Sequence, residues 1–160
     1  MRSFSELPQN QNTWFLRESG TGFWYAYVGS LGVIWVLLGG VVGFGLAGTW
    51  LHLGHAAVTM WLLHWMKGSP LEGDAHNIYD GDYSAQTFWE QIDDGKQYTN
   101  TRKAFSAVAV ALYLLATNSI ALSEQPARLN LAAFFAIMLA KMPFMHGVRI
   151  LGVNSGRRTN

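Results

Sequence analysis

The chain has 160 residues and no cysteine, and its composition points to lipid. Charged residues make up 13% of the chain, against roughly 25% in a soluble domain. Half of the residues are hydrophobic, and 14% are aromatic. The net charge of +1 gives no indication of a nucleic-acid partner. The absence of cysteine excludes disulfides, thiolate metal ligands and a cysteine nucleophile.

Long apolar segments predict an all-α membrane protein with four transmembrane helices. The segments are residues 23–46, 49–66, 104–123 and 129–140. The first is free of charge over 24 residues, which at about 1.5 Å per residue exceeds a hydrocarbon core of about 30 Å. The last is only 12 residues long before Lys141. It therefore spans the membrane only if Lys141 snorkels to the interface and the helix continues through residues 143–148.

The distribution of basic residues predicts the orientation of these helices. With four spans, the two termini and the central loop lie on the same side and carry Arg2, Arg17, Lys67, Lys96, Arg102, Lys103, Lys141, Arg149, Arg157 and Arg158. The opposite side carries Arg128 alone. Since cytoplasmic loops are enriched in Lys and Arg, both termini are expected in the cytosol.

The chain reads as a single membrane domain of two helical hairpins. Its expected parts are an N-terminal regulatory arm (1–20), a first hairpin (21–66), a cytosolic loop (67–103), a second hairpin (104–148) and a basic tail (149–160). The first hairpin should turn within the glycine-rich stretch 39–48, where Gly39 and Gly43 form a GxxxG pair. The second helix should end near Lys67, because Gly68 suits a left-handed cap and Pro70 prevents continuation.

The densest cluster of charge is WEQIDDGKQ, residues 89–97, in the central loop. Glu90, Asp93 and Asp94 lie close enough for acid/base chemistry or metal binding. However, Thr87 precedes Glu90 by three residues, which is the spacing of a capping box. That pattern favours a structural function for Glu90.

The same stretch predicts a short amphipathic helix. Phe88, Trp89 and Ile92 fall within about 100° of one another on a helical projection. This apolar face is expected to be available to the bilayer interface or to a partner, with Gly95 ending the helix.

Histidines in the second apolar segment give a further polar pattern. His52 and His55 form a stripe with Gly48 and Thr59 that should face other helices rather than lipid. His64 lies on a different face. Five histidines in the whole chain are too few for the clustered boxes of membrane di-iron enzymes, so no metal site is expected.

Four stretches resemble the ORM, or ORMDL, family of endoplasmic-reticulum proteins, in the same order and at similar separations. They are NTWF (12–15), HWMKGSP (64–70), WEQIDDGKQYTNTRK (89–103) and KMPFMHGVRILGVN (141–154). The resemblance covers residues 10–154, and HWxKGxP with WEQxDxGKQ is particularly similar to plant and algal members.

The resemblance implies a regulatory subunit of serine palmitoyltransferase that gives ceramide-dependent negative feedback on sphingolipid synthesis. Such a subunit has no catalytic residues and no cofactor of its own, and the pyridoxal phosphate belongs to the partner enzyme. The implied partners are the large subunits, the small activating subunit, ceramide and the lipid bilayer. The implied location is the endoplasmic-reticulum membrane, with both termini cytosolic.

The resemblance also assigns site residues in the arm. Asn12 and Thr13 are the implied ceramide-sensing pair, and the arm is expected to lie over the acyl-substrate tunnel of the enzyme. The residues of this N-terminal plug are Met1, Arg2, Ser3 and Phe4. The competing hypothesis is a small lipid-modifying membrane enzyme that uses Glu90, Asp93 and Asp94.

Overall fold

A computed structural model of the chain describes residues 13, 16, 20–68, 85–119 and 126–149. The regular elements in these ranges are helical: α1 (Gly20–Val42), α2 (Phe44–Thr59), α3 (Phe88–Gln91), α4 (Asn100–Asn118) and α5 (Ala127–Lys141). A π-helical turn, Met60–Trp65, extends α2, and short 3-10 turns cover Ile92–Gly95 and Pro143–Met145. The prediction of an all-α chain is thus confirmed for the part that the structure describes.

Gly43 makes the turn between α1 and α2. Its φ of +83° lies in a region that side chains rarely adopt, and its N–H donates to Gly39 O at 3.1 Å. Gly39 is buried against the ring of Phe44, which leaves no room for a Cβ. The turn falls inside the glycine-rich stretch where the sequence predicts it.

The long helix α2 lies at the centre of the bundle and contacts α1, α4 and α5. A Cβ on Gly48 would lie 3.0 Å from Ser119 Oγ and 3.1 Å from Leu115 O, so this glycine lets α2 and α4 approach closely. Stacked rings of Tyr113 and Phe134, with centroids 4.5 Å apart, join α4 to α5. We call the end where α1 begins and α2 ends the loop end, and the opposite end, at Gly43, the hairpin end.

A hydrophobic cluster fills the loop end of the bundle. Its buried members are Leu16, Leu63, Phe88, Trp89, Ile92 and Phe105. Phe23, Trp24 and Tyr27 of α1 pack against them. The cluster therefore joins one residue of the N-terminal arm and three residues of the central loop to α1, α4 and the π-helical extension of α2.

The last helix differs from the sequence prediction. It ends at Lys141, and Met142 is extended (ψ 144°) rather than helical, because the ring of Pro143 disfavours helical geometry in the preceding residue. The helix does not continue through residues 143–148, so this condition for a complete fourth span is not met. Lys141 does not snorkel either: it is 7% exposed, and its Nζ lies 4.6 Å from the centre of the Trp89 ring.

Among the helices that the structure describes, Gly20–Val42 is long and apolar enough to cross a membrane by itself. Its 23 residues have a mean hydropathy of 1.8 over the apolar window, and 11% of that window is buried inside the chain. Most of its apolar surface therefore faces outward.

Candidate functional site

The predicted ceramide-sensing pair is described in part. Asn12 and the predicted plug residues Met1, Arg2, Ser3 and Phe4 lie outside the described residues, whereas Thr13 is described and is 2% exposed. Leu16 is 6% exposed and belongs to the loop-end cluster. The arm is therefore anchored in the bundle at Leu16.

An apolar cavity of about 540 Å³ lies between α1 and α2. The face that α1 turns to the cavity consists of Phe23, Tyr27, Leu31, Ile34 and Leu38. Eight residues of α2 and its π-helical extension form the facing wall, among them Gly54, Val58 and Leu63. Phe88 and Phe105 close the cavity at the loop end. Ile34 and Val58 are largely exposed, so the cavity reaches the surface of the molecule.

Few polar groups line this cavity, and those of Tyr27 and Thr59 are hydrogen-bonded within the chain. The Tyr27 hydroxyl is hydrogen-bonded to His55 Nε2 at 2.5 Å. Thr59 Oγ1 donates to His55 O at 2.7 Å within its own helix. The volume lies in the range of ligand pockets, which is roughly 300–1,000 Å³. The chemistry of the lining suits a hydrocarbon chain.

The capping box in the central loop is confirmed. Thr87 N donates to Glu90 Oε2 at 2.7 Å, and Glu90 N donates to Thr87 Oγ1 at 3.4 Å. Gly95, with a φ of +80°, ends the 3-10 turn that follows α3.

The apolar face of this loop is covered by the chain itself. Phe88, Trp89 and Ile92 are 5%, 3% and 0% exposed. They pack inside the loop-end cluster, so they do not offer the open face that the sequence predicts. The reason is that α2, α4 and the arm supply the apolar surface against which these side chains pack.

Glu90 is saturated with hydrogen bonds. Arg149 Nη1 and Nη2 donate to its two carboxylate oxygens at 2.7 Å each, and Gly147 N donates at 2.8 Å. Burial opposes ionisation of this carboxyl. The bonds from Arg149, Thr87 and Gly147, with the charge of Arg149, outweigh burial and lower the pKa of Glu90 to about 2. A carboxylate held ionised in this way is suited to fixing the chain and unsuited to proton transfer near neutral pH.

Asp93 and Asp94 follow α3 in the 3-10 turn. Both have left-handed backbone conformations, with φ of 53° and 56°, and Asp93 Oδ1 accepts a bond from Thr101 Oγ1 at 3.4 Å. Within the described ranges no three His, Cys, Asp or Glu side chains are grouped so that they could hold a metal ion. The arrangement does not favour the enzyme hypothesis.

Two cations hold Trp89 in place. Arg102 Cζ lies 5.1 Å from the centre of the indole ring, and Lys141 Nζ lies 4.6 Å from it. Arg102 also donates to Trp89 O at 2.8 Å and to Ile92 O at 3.3 Å. Sequence reasoning counted Arg102, Lys141 and Arg149 only as markers of orientation. Their contacts with Ala85, Trp89, Glu90 and Ile92 join positions 10 to 64 residues apart in the chain, so no local pattern indicated these roles.

The histidine stripe faces other helices, as predicted. His52 Nε2 is hydrogen-bonded to Asn130 O of α5 at 3.2 Å, and His55 bonds Tyr27 of α1. His64 lies elsewhere, with its ring 5.2 Å from that of Trp89.

Comparison with known proteins identifies the family. The profile of the ORMDL family matches residues 10–149. ORM1-like protein 2 of Gallus gallus is 36% identical over 138 residues, covering 85% of this chain and 88% of the relative. ORM1-like protein 2 of Homo sapiens is 32% identical over 147 residues, covering 91% of this chain and 92% of the relative. ORM1-like protein of Drosophila melanogaster is 33% identical over 141 residues, covering 85% of this chain and 87% of the relative. This chain belongs to the ORMDL family.

Proposed function

We propose that this chain is a non-catalytic regulatory subunit of serine palmitoyltransferase in the endoplasmic-reticulum membrane. Membership of the ORMDL family supports a function in regulating sphingolipid synthesis. The finer proposal is ceramide-dependent negative feedback, in which residues 1–12 obstruct the acyl-substrate tunnel of the enzyme. The saturated carboxylate of Glu90 supports a regulator over a lipid-modifying enzyme.

One observation carries the proposal: the arm packs in a cluster whose side chains also line the apolar cavity. Leu16 lies in the cluster that contains Leu63, Phe88 and Phe105. These same three residues line the cavity. A hydrocarbon chain in the cavity would therefore contact the side chains against which the arm packs.

The proposed mechanism follows from this shared contact. A ceramide chain that fills the cavity stabilises one arrangement of the loop-end cluster, and Asn12 and Thr13 then hold the ceramide head group. The plug residues, Met1 to Phe4, settle over the tunnel as a result. A difference of about 2.7 kcal/mol between the two states would change their ratio about a hundredfold.

The proposed topology has four transmembrane helices with both termini in the cytosol. In this arrangement the loop end, the arm and the central loop lie at the cytosolic face. The 15 residues of α5 span about 22 Å, so the bilayer must thin locally or the partner subunits must cover its end. The exposed apolar side chains of α1, such as Val33, Val36 and Leu37, would face lipid or those subunits.

Asn12→Ala tests the ceramide-sensing assignment. In a reconstituted complex with the large and small subunits of serine palmitoyltransferase, we expect ceramide inhibition to be lost while assembly is kept, because the head group loses its hydrogen-bond partner. The measurement is long-chain-base synthesis against ceramide concentration. The matched control is Asn118→Ala. The side chain of Asn118 is exposed, and its amide nitrogen donates to Leu114 O within the same helix.

Three outcomes would count against the proposal. Unchanged ceramide inhibition by the Asn12→Ala complex would refute the sensing function of that residue. Lipid-modifying activity of the isolated chain that disappears in Asp93→Asn and Asp94→Asn would favour the enzyme hypothesis instead. Failure of the chain to co-purify with serine palmitoyltransferase subunits would refute the subunit proposal as a whole.

A further inference from the structure

The apolar cavity is elongated along the axes of α1 and α2. On α1 its lining runs from Phe23 to Leu38, and on α2 with its π-helical extension it runs from Trp50 to Leu63. At about 1.5 Å per residue these stretches are about 22 Å and 20 Å long. The cavity therefore follows the two helices for about 20 Å.

The fold closes the cavity at both ends. Phe88 and Phe105 close the loop end. At the hairpin end the lining of α1 stops at Leu38. The next residue, Gly39, is buried against the ring of Phe44, which leaves no room even for a Cβ. A chain that lies in the cavity therefore cannot extend past Leu38 towards the turn between the two helices.

The length and the volume of the cavity give the same capacity. Three backbone bonds of an extended peptide span at most about 3.3–3.6 Å, so an extended chain about 20 Å long contains about 17 bonds. A methylene group is similar in size to a water molecule, whose share of the liquid volume is about 30 Å³. At that size the volume of about 540 Å³ holds about 18 carbon atoms. The cavity thus has room for one long hydrocarbon chain and not for two.

We propose that the cavity binds a single straight hydrocarbon chain of about 16–18 carbons, and that Leu38 sets this length. The inference rests on the proposed function, in which a ceramide chain fills the cavity, and it adds which chains fit. The second chain of a two-chain lipid stays outside the cavity.

Both shorter and longer chains are disfavoured. A shorter chain leaves a void next to Leu38, and an unfilled void costs free energy in proportion to its volume. For a chain that is two carbons too short, we expect about tenfold weaker retention. A longer chain must bend outward on the open side of the cavity, where Ile34 and Val58 are exposed.

Lipid retention by the full-length protein in nanodiscs tests the inference. The probes are N-acetyl sphingoid bases with chains shorter than, equal to and longer than the cavity, supplied together at equal mole fractions. Each probe has one long chain, so the retained chain is the one that the cavity binds. Native mass spectrometry identifies the retained lipids, and we expect a peak at about 16–18 carbons for the wild type.

A change at the closed end should move this peak. Leu38→Ala removes the side chain that limits the length and should shift the peak to chains about two or three carbons longer. Leu37→Ala is the matched control, because the neighbouring Leu37 is 66% exposed and lies outside the lining. We expect this variant to keep the wild-type peak.

The wild type alone can overturn the inference, so the result does not depend on the folding of a variant. Retention in proportion to the supplied mixture would show that the cavity does not select for length. Identical peaks for Leu38→Ala and Leu37→Ala would show that Leu38 does not set it.

Failure of the proposed function would give a different result. In that case the isolated chain would still prefer chains of one length, but the same lipids would not inhibit serine palmitoyltransferase reconstituted with it. A length preference without inhibition would therefore support the inference about the cavity and refute ceramide feedback.

Discussion

At the scale of one residue, the contacts of Glu90 change the interpretation of the charge cluster in the central loop. From the sequence, three carboxylates within five residues allowed both a catalytic and a structural interpretation. The capping box was predictable because both partners lie within one helical turn. The bonds from Arg149 and Gly147 could not be predicted from the sequence, because they join residues 57 to 59 positions apart in the chain. Those long-range bonds favour the structural interpretation.

The lowered pKa of Glu90 predicts how stability depends on pH. Because its pKa falls from an ordinary 4.5 to about 2 on folding, its contribution is complete above pH 4.5 and is lost as the pH falls from there towards 2. A difference of this size corresponds to about 3 kcal/mol. Thermal unfolding in detergent at pH 7, 5 and 3 measures it.

Substitution of Glu90 measures its contribution to the pH dependence of stability apart from the contributions of the other carboxyl groups. Glu90→Gln should lower the unfolding temperature at pH 7, because Arg149 loses its ionic partner, and should remove most of the drop between pH 5 and pH 3. Asp94→Asn is the matched control, since Asn also tolerates the left-handed backbone there. An equal drop in wild type and Glu90→Gln would contradict the assignment.

At the scale of elements, patterns of neighbouring residues predicted where the helices lie but did not predict where the last helix ends. The turn at Gly43, the end of the 3-10 turn at Gly95 and the inward-facing histidines all follow patterns of neighbouring residues, whereas the loop helix itself ends at Gln91. From the sequence, the last helix spans a bilayer only if it continues past Lys141. Pro143 ends it instead, and the buried ammonium of Lys141 lies against Trp89, a contact that depends on the tertiary fold.

Gly43→Ala tests the first hairpin. The backbone at Gly43 has φ +83° and ψ 146°, so alanine should destabilise the fold by about 1–3 kcal/mol. Gly40→Ala is the control, because a Cβ there meets open space within α1, and alanine in a helix is favoured over glycine by up to about 1 kcal/mol. Equal unfolding temperatures for the two variants would contradict the hairpin geometry.

At the scale of the whole molecule, the bundle brings together segments that the sequence describes separately. The four stretches that resemble the ORMDL family were readable from the sequence, and family membership followed from them. The cavity was not predictable, because it depends on the spacing between α1 and α2 and on closure by Phe88 and Phe105 from the loop and α4. Under the proposed function, the residues that the cavity shares with the cluster around Leu16 would couple a bound hydrocarbon chain to the arm.

Filling the cavity tests most directly whether a ligand in the cavity is coupled to the N-terminal arm. Gly54 lines the cavity and has open space around its Cβ position, so Gly54→Leu should occupy the cavity without disturbing the bundle. Gly29→Leu is the matched control, since Gly29 also has open space but lies outside the lining. The measurement is ceramide inhibition of serine palmitoyltransferase reconstituted with each variant. We predict that Gly54→Leu raises the ceramide concentration needed for half inhibition at least tenfold, a loss of about 1.4 kcal/mol, while Gly29→Leu leaves it unchanged. Equal ceramide responses of the two complexes would contradict the coupling between cavity and arm.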